Sequence, residues 1–248
     1  MDIGGFASVS GVRGWTPISM GPLSWIYAAP EYVTLSGLNV ARIEDRSGNG
    51  NYVDQSAPPS QPLWEPTGWS SRKPSVAFSA QSLNNNSTSL FAFLNGSDKA
   101  FSVLTTCQVT SYTSVNTIVS WDDSPTNTAR CELTLDTSQL IGFKREDDAA
   151  AVKTGTSASP AVGTGHVRLA WVFNGTTMDA YVEGALALAG SDGDVGAMTM
   201  TRLRIGDGIE AGADSLTGRL VELVVVGRAV SVYEISRYQA YSIAEWES

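Results

Sequence analysis

Cysteine is scarce in this chain: Cys107 and Cys131 are the only two in 248 residues. Two cysteines so far apart make neither the multi-bridge framework of a small secreted domain nor a CxxC redox or zinc motif. They read as buried thiols, with a disulfide left open because two strands can bring distant cysteines together. Histidine is scarcer still. His166 is the only one, which excludes a multi-histidine metal site and makes any Ser-His-Asp triad depend on that residue. Charged residues amount to only 17% and lean to acid, with a formal net charge of -9 and a pI near 4.6. Such a field repels a phosphate backbone or an anionic lipid surface, so neither nucleic acid nor a membrane is an expected partner. No run approaches the roughly 20 uninterrupted apolar residues of a membrane helix; even residues 220–226 are broken by Glu222. The first residues, Met1-Asp2-Ile3-Gly4-Gly5-Phe6, lack the basic and apolar regions of an export signal. Without one, Asn-x-Ser/Thr triplets such as those at Asn86, Asn95 and Asn174 carry no weight as glycosylation sites.

What is present suits one globular unit. Hydrophobic residues make up 42% of the chain, enough for a sizeable core, and all-β sandwiches of this length form single domains. Residues 1–20 are Gly-rich without periodicity and read as an arm or connector, docking to a neighbour or lying along the domain formed by residues 21–248. Short alternating apolar stretches then follow, separated by Gly, Pro, Asn, Asp and Ser clusters. That is the pattern of an all-β, two-sheet antiparallel sandwich. Strands are expected over residues 75–79, 101–109, 117–121, 130–135, 140–144, 167–173, 178–182, 202–205 and 219–226, with no βαβ unit among them. The clearest hairpin has Asn174-Gly175 as the left-handed pair of a tight turn. At the carboxyl end, Ser231-Val232-Tyr233-Glu234 fits a capping box opening a short helix, which Ile235, Tyr238 and Trp246 would pin to the sandwich.

Several phrases carry a resemblance. They are Arg42-Ile43-Glu44-Asp45-Arg46-Ser47-Gly48-Asn49-Gly50-Asn51, Lys73-Pro74-Ser75-Val76-Ala77-Phe78, Phe101-Ser102-Val103-Leu104, and Val182-Glu183-Gly184. The most specific runs from Leu216-Thr217-Gly218-Arg219-Leu220-Val221-Glu222-Leu223 to Gly227-Arg228-Ala229-Val230-Ser231 and Glu234. In this order they resemble the concanavalin A-like lectin (laminin-G-like) superfamily over residues 22–247, especially domains of bacteriophage virion and bacterial surface proteins. The resemblance implies a jelly-roll form of the sandwich. It also implies a Ca²⁺ site in relatives with an Asp before the last-strand Glu, but Val221 stands there in this chain, so no cofactor is expected. Ile43 replaces the family's usual Trp and still fills a core position.

Catalytic residues are hard to find. Glycosidases of such sandwiches place their carboxylates on alternate residues of one strand, because period two projects them together; no such run occurs. Glu44 and Asp45 are consecutive and would face opposite sides, and Glu146-Asp147-Asp148 reads as a solvated loop. His166 sits at a strand entrance with no Gly-x-Ser-x-Gly elbow, and packing is its expected role. Asp192 and Asp194 alternate as Ca²⁺ ligands do but lack the closing Glu of an EF-hand loop, so a polar turn is the better account. For sugar, an aromatic platform beside carboxylates is the expected chemistry. Trp121 with Asp122 and Asp123, and Trp64 with Trp69, have that composition; the competing account has these indoles covering the sandwich rim or an intersubunit seam.

The expected function is therefore a non-catalytic virion structural or accessory protein of a tailed phage or phage-like particle, in a capsid, neck or tail fibre. It would be assembled in the bacterial cytoplasm, joined through its arm to other virion proteins or to copies of itself, and in contact with cell-surface glycan. A stand-alone bacterial lectin is the alternative, and a glycoside hydrolase comes third for want of a carboxylate pair.

Overall fold

The computed structural model describes residues 15–70, 73–85, 93–123, 126, 128–159, 162–208 and 214–247. Its strands are β1 (Ser24–Tyr27), β2 (Val33–Ser36), β3 (Asn39–Ile43), β4 (Val53–Asp54), β5 (Leu63–Ser70), β6 (Lys73–Ser79), β7 (Leu83–Asn85), β8 (Phe101–Val109) and β9 (Asn116–Asp122). They continue with β10 (Arg130–Leu135), β11 (Ile141–Glu146), β12 (Val152–Thr156), β13 (His166–Phe173), β14 (Thr177–Val182), β15 (Ala185–Asp192), β16 (Arg202–Ile205) and β17 (Thr217–Val226); α1 (Val232–Trp246) follows. Every pairing between these strands is antiparallel. A front sheet runs β2-β3-β4-β7-β16-β9-β10-β11-β12. A back sheet runs β15-β14-β13-β8-β17, and the far edge of β17 is shared by β6 and β1. The fold is the all-β sandwich with a carboxyl-terminal helix. No described helix is long and apolar enough to cross a membrane.

Two apolar layers hold it together. Between the sheets lie Val103, Ile118, Trp121, Leu133, Phe143, Trp171, Leu203 and Leu223, with Cys107 and Cys131 among them. Both cysteines are free, and burial pushes both thiols up to about 12, which keeps them protonated. The second layer, between the back sheet and α1, contains Trp25, Leu104, Val172, Val224, Ile235, Tyr238 and Trp246. The capping box is formed as expected: the Ser231 hydroxyl accepts from the Glu234 N–H, and the Glu234 carboxylate accepts from the Ser231 N–H.

Turn chemistry differs from expectation in one hairpin. At β13–β14 only Gly175 has positive φ; the Asn174 carboxamide oxygen instead accepts the N–H groups of Thr176 and Thr177, making a longer Asx-held turn. The left-handed pair belongs to Glu183-Gly184, which joins β14 to β15 with Val182 facing Ala185. The expected solvated loop at residues 146–148 is also more structured. Glu146 ends β11 and pairs with Arg130 at 2.6 Å, and buried Asp147 accepts the N–H groups of Ala149 and Ala151. The expected arm, residues 1–20, falls mostly outside the described residues, as does the Asn86 triplet. Its last part packs on the domain: Met20 is buried and the Trp15 ring meets Tyr241 edge-on at 6.0 Å.

A β-bulge in β17 decides where Glu222 goes. Pairing with β8 shifts register between Leu220 and Glu222, so Leu220 faces the inter-sheet core while Val221 and Glu222 both turn toward the helix. There the fully buried Glu222 carboxylate accepts Trp25 Nε1–H at 2.6 Å and Trp246 Nε1–H at 3.4 Å. Burial pushes its pKa up to about 7, against the lowering effect of those donors and of Tyr238 and Tyr241. The folded state thus holds this proton to higher pH than the unfolded chain does, and its contribution to stability is complete below the ordinary Glu range and lost as pH rises toward 7. Denaturant titrations should show stability falling by about 3 kcal/mol between pH 4.5 and 7.5 from this group. Glu222→Gln should flatten that segment of the profile; an unchanged profile would show that Glu222 does not carry it.

Candidate functional site

Strand pairing lines up side chains across the whole front sheet. One continuous row reads Thr34, Arg42, Asp54, Asn84, Arg204, Ser120, Glu132, Lys144 and Thr154, each the register partner of the next. A second row on the same face reads Arg202, Asp122, Arg130 and Glu146. Alternation explains them: Val53, Leu83, Leu203, Ile205, Cys131 and Leu133 point into the core, so their neighbours must point out. The outer face of the front sheet is therefore polar and carries charges of both signs, whereas the outer face of the back sheet lies under α1.

The middle of this face is covered by the chain that follows β16. Ser120 Oγ donates to the Asp207 carbonyl at 2.8 Å, Arg204 Nη1 donates to the Gly208 carbonyl at 2.9 Å, and Ser215 Oγ donates to the Asp207 carboxylate at 2.8 Å. Beneath it Asp122 is fully buried and held between two guanidiniums, Arg202 Nη2 at 2.9 Å and Arg204 Nε at 3.1 Å. Toward β4 the face opens into a depression of about 160 Å³ lined by Asp54, Gln55, Ser56, Asn84 and Arg202. The Asp54, Ser56 and Asn84 side chains have no hydrogen-bond or ion-pair partner among the described residues. That contrast with the committed middle marks the candidate binding site.

The expected sugar platforms lie elsewhere. Trp121 is fully buried between Phe93 and Phe101, so its ring is a core element and not a platform. Asp122 is the buried ion-pair centre just described. Asp123 holds its own turn, accepting from Thr128 Oγ1 at 2.6 Å and from the Thr126 hydroxyl. Trp69 is 3% exposed and stacks on His166 with ring centroids 3.8 Å apart, which gives that histidine its packing role. Partial burial and the nearby Arg168 and Arg219 lower the His166 pKa from its ordinary value. Trp64 is half-buried against the main core. Asp192 and Asp194 are already engaged: Lys153 Nζ lies 2.5 Å from Asp192 and holds that carboxyl below its usual range, while neighbouring Asp98 pushes Asp194 up. Among the described residues no group of three or more His, Cys, Asp or Glu is placed to hold a metal.

The Ser-Gly-Asn-Gly turn shows why calcium does not fit the position that the resemblance implies. The Asp45 carboxylate accepts the N–H groups of Trp25, Ser47 and Asn51 and the Ser47 hydroxyl. A carboxylate surrounded by N–H donors offers no cage of oxygens, and buried Val221 supplies no second carboxylate. Gly48 and Gly50 take φ of +88° and +73°, conformations that L side chains resist, and the Asn49 and Asn51 carboxamides donate to the Pro22 and Leu23 carbonyls. The turn is a latch on the start of β1.

Known proteins agree with this architecture. The family model described as "Concanavalin A-like lectin/glucanases superfamily" matches residues 72–236. The chain belongs to this superfamily. No curated protein sequence matches it. Among solved structures it resembles the botulinum neurotoxin serotype G binding domain with a TM-score of 0.61 at 11% identity, covering 88% of this chain and 50% of that one. The binding domain of Paraclostridial mosquitocidal protein 1 gives 0.63 at 10%, covering 90% and 52%. The CBM40 domain of Ruminococcus gnavus IT-sialidase, bound to α2,3-sialyllactose, gives 0.54 at 14%, covering 65% and 94%. This chain spans about half the length of the toxin domains. At these identities the likeness is one of fold.

The lining residues were visible in the sequence only in part. Arg202-Leu203-Arg204-Ile205 alternates and marks its arginines as outward, but Val53–Asp54 and Leu83–Asn85 are too short to show a period. Asp122→Ala should cost roughly 3–5 kcal/mol of stability, because it leaves two guanidiniums against an emptied, desolvated position. Chemical denaturation measures it; a loss below about 1 kcal/mol would show the pair to behave as an exposed one.

Proposed function

We propose that this domain is a non-catalytic glycan-binding module that takes sugar in the depression between β4, β7 and β16. One observation carries the reading: uncommitted carboxylate, hydroxyl and carboxamide groups from Asp54, Ser56 and Asn84 converge there beside Arg202. Sugar hydroxyls both donate and accept, and a carboxylate with a carboxamide matches that demand without reorganising the site. The sialyllactose carried by the CBM40 neighbour supports the ligand class. Hydrolysis needs two carboxylates flanking one bond, and among the described residues Asp54 is the single carboxylate lining the depression.

The setting proposed for the module is a virion or phage-like particle, with the amino-terminal side as the attachment. Its support is geometric. Trp15 and Met20 pack in the layer between the back sheet and α1, and the depression opens on the outer face of the front sheet. Attachment and ligand would then occupy opposite faces, as a display module requires. Light scattering on the full chain tests the setting: defined oligomers support it, and a monomer removes it while leaving the glycan reading in place.

The ligand reading is tested on a glycan array followed by calorimetry with any saccharide retained. Asn84→Ala and Ser56→Ala together should weaken binding at least tenfold while the melting temperature moves by no more than about 3 °C, because Ser56 is exposed, Asn84 is half-buried and neither side chain has a partner to lose among the described residues. Binding that ignores both changes would place the sugar elsewhere.

A further inference from the structure

We propose that the depression selects an uncharged saccharide and rejects an anionic one, an inference that rests on the glycan-binding reading above. The charges around the site set this preference. Arg202 lines the depression, but its guanidinium grips the fully buried Asp122 through Nε at 3.1 and 3.2 Å and through Nη2 at 2.9 Å. An anionic sugar that drew Arg202 toward itself would weaken the hold on a carboxylate with no access to water, a desolvation cost that an exposed arginine would not impose. The neighbouring cations are also engaged. Arg204 is shared between Asp122 and Asp207, and Arg42 pairs with Glu44 at 2.7 Å while lying over the Tyr52 ring.

Asp54 is the charged lining group that has no ion-pair partner among the described residues. A carboxylate only accepts, so it suits a pair of hydroxyls or an acetamido N–H and repels a sugar carboxylate or sulfate. Asn84 and Ser56 add donors and acceptors without charge. Gln55 contributes its position more than its amide, since its carboxamide already accepts from the Ala57 N–H at 3.1 Å and donates to the Ser82 carbonyl at 3.4 Å. At longer range the net charge of -9 acts in the same direction. The selectivity is thus opposite to what the sialylated ligand of the CBM40 structure would suggest.

The test uses the full chain on an array carrying neutral oligosaccharides and their sialylated and sulfated counterparts, then calorimetry on a matched pair such as lactose and α2,3-sialyllactose or the best neutral binder and its sialylated form. The expected result is a neutral form bound at least ten times more tightly, a gap that narrows at least threefold in Asp54→Asn and narrows again as salt screens the repulsion. An anionic form bound equally well or better overturns the inference and leaves the glycan reading standing. A gap unchanged in Asp54→Asn overturns its basis in this residue. Retention of no saccharide from either class removes the glycan reading, and the inference falls with it.

Discussion

Strand β17 is paired with β8 along nearly its whole length and with β6 and β1 on its other edge, and both of its faces are covered, one by the front sheet and one by α1. A strand in that position has to carry apolar side chains in both directions, which is why residues 220–226 read as an almost unbroken hydrophobic run. The one exception is placed by a bulge. Without the register shift before Glu222, period two would point its carboxylate into the inter-sheet core, where its only neighbours would be apolar. The bulge turns it toward two indole N–H groups and a pair of tyrosines. The helix is therefore tied to the sheet by a specific polar centre as well as by apolar contact, and the guanidinium of Arg46, 4.3 and 4.4 Å above the Trp25 and Tyr27 rings, closes the edge of the same layer.

Covering the back sheet on both sides creates an asymmetry. The front sheet is buried on one face only, and its other face must be compatible with water across nine strands. Cross-strand register satisfies this with the polar rows, and the chain after β16 closes over their centre, where Ser120 and Arg204 donate to the Asp207 and Gly208 carbonyls and Asp122 is held by two guanidiniums. What remains uncommitted is the margin near β4 and β7. The binding proposal follows from that difference within one face, and the superfamily membership supplies only the scaffold that presents it.

Long strands, the acidic balance, the capping box and the helix anchors were legible because their signals are local: residues 101–109 alternate over enough positions to declare a strand, and Ser231 with Glu234 is a complete motif. The aromatic platform was misjudged for an equally physical reason. Composition places Trp121 beside two carboxylates, but period two sends the indole inward and Asp122 outward, so the three never share a surface. Asp54 and Asn84 escaped notice because each sits in a strand of two or three residues whose existence depends on neighbours distant in the chain. The hairpin turns show the same limit: Asn174-Gly175 has the stronger turn composition, yet Glu183-Gly184 adopts the left-handed pair because the strands it joins meet in two-residue register.

The central claim is that ligand recognition belongs to the open margin of the front sheet. The most direct measurement is a backbone amide chemical-shift map of the full chain titrated with a saccharide that it retains. The account predicts perturbations concentrated at residues 53–56, 83–85 and 202–204, with the helix and the turn at residues 45–51 unmoved. Perturbations centred on that turn or on the exposed face of α1 would contradict it.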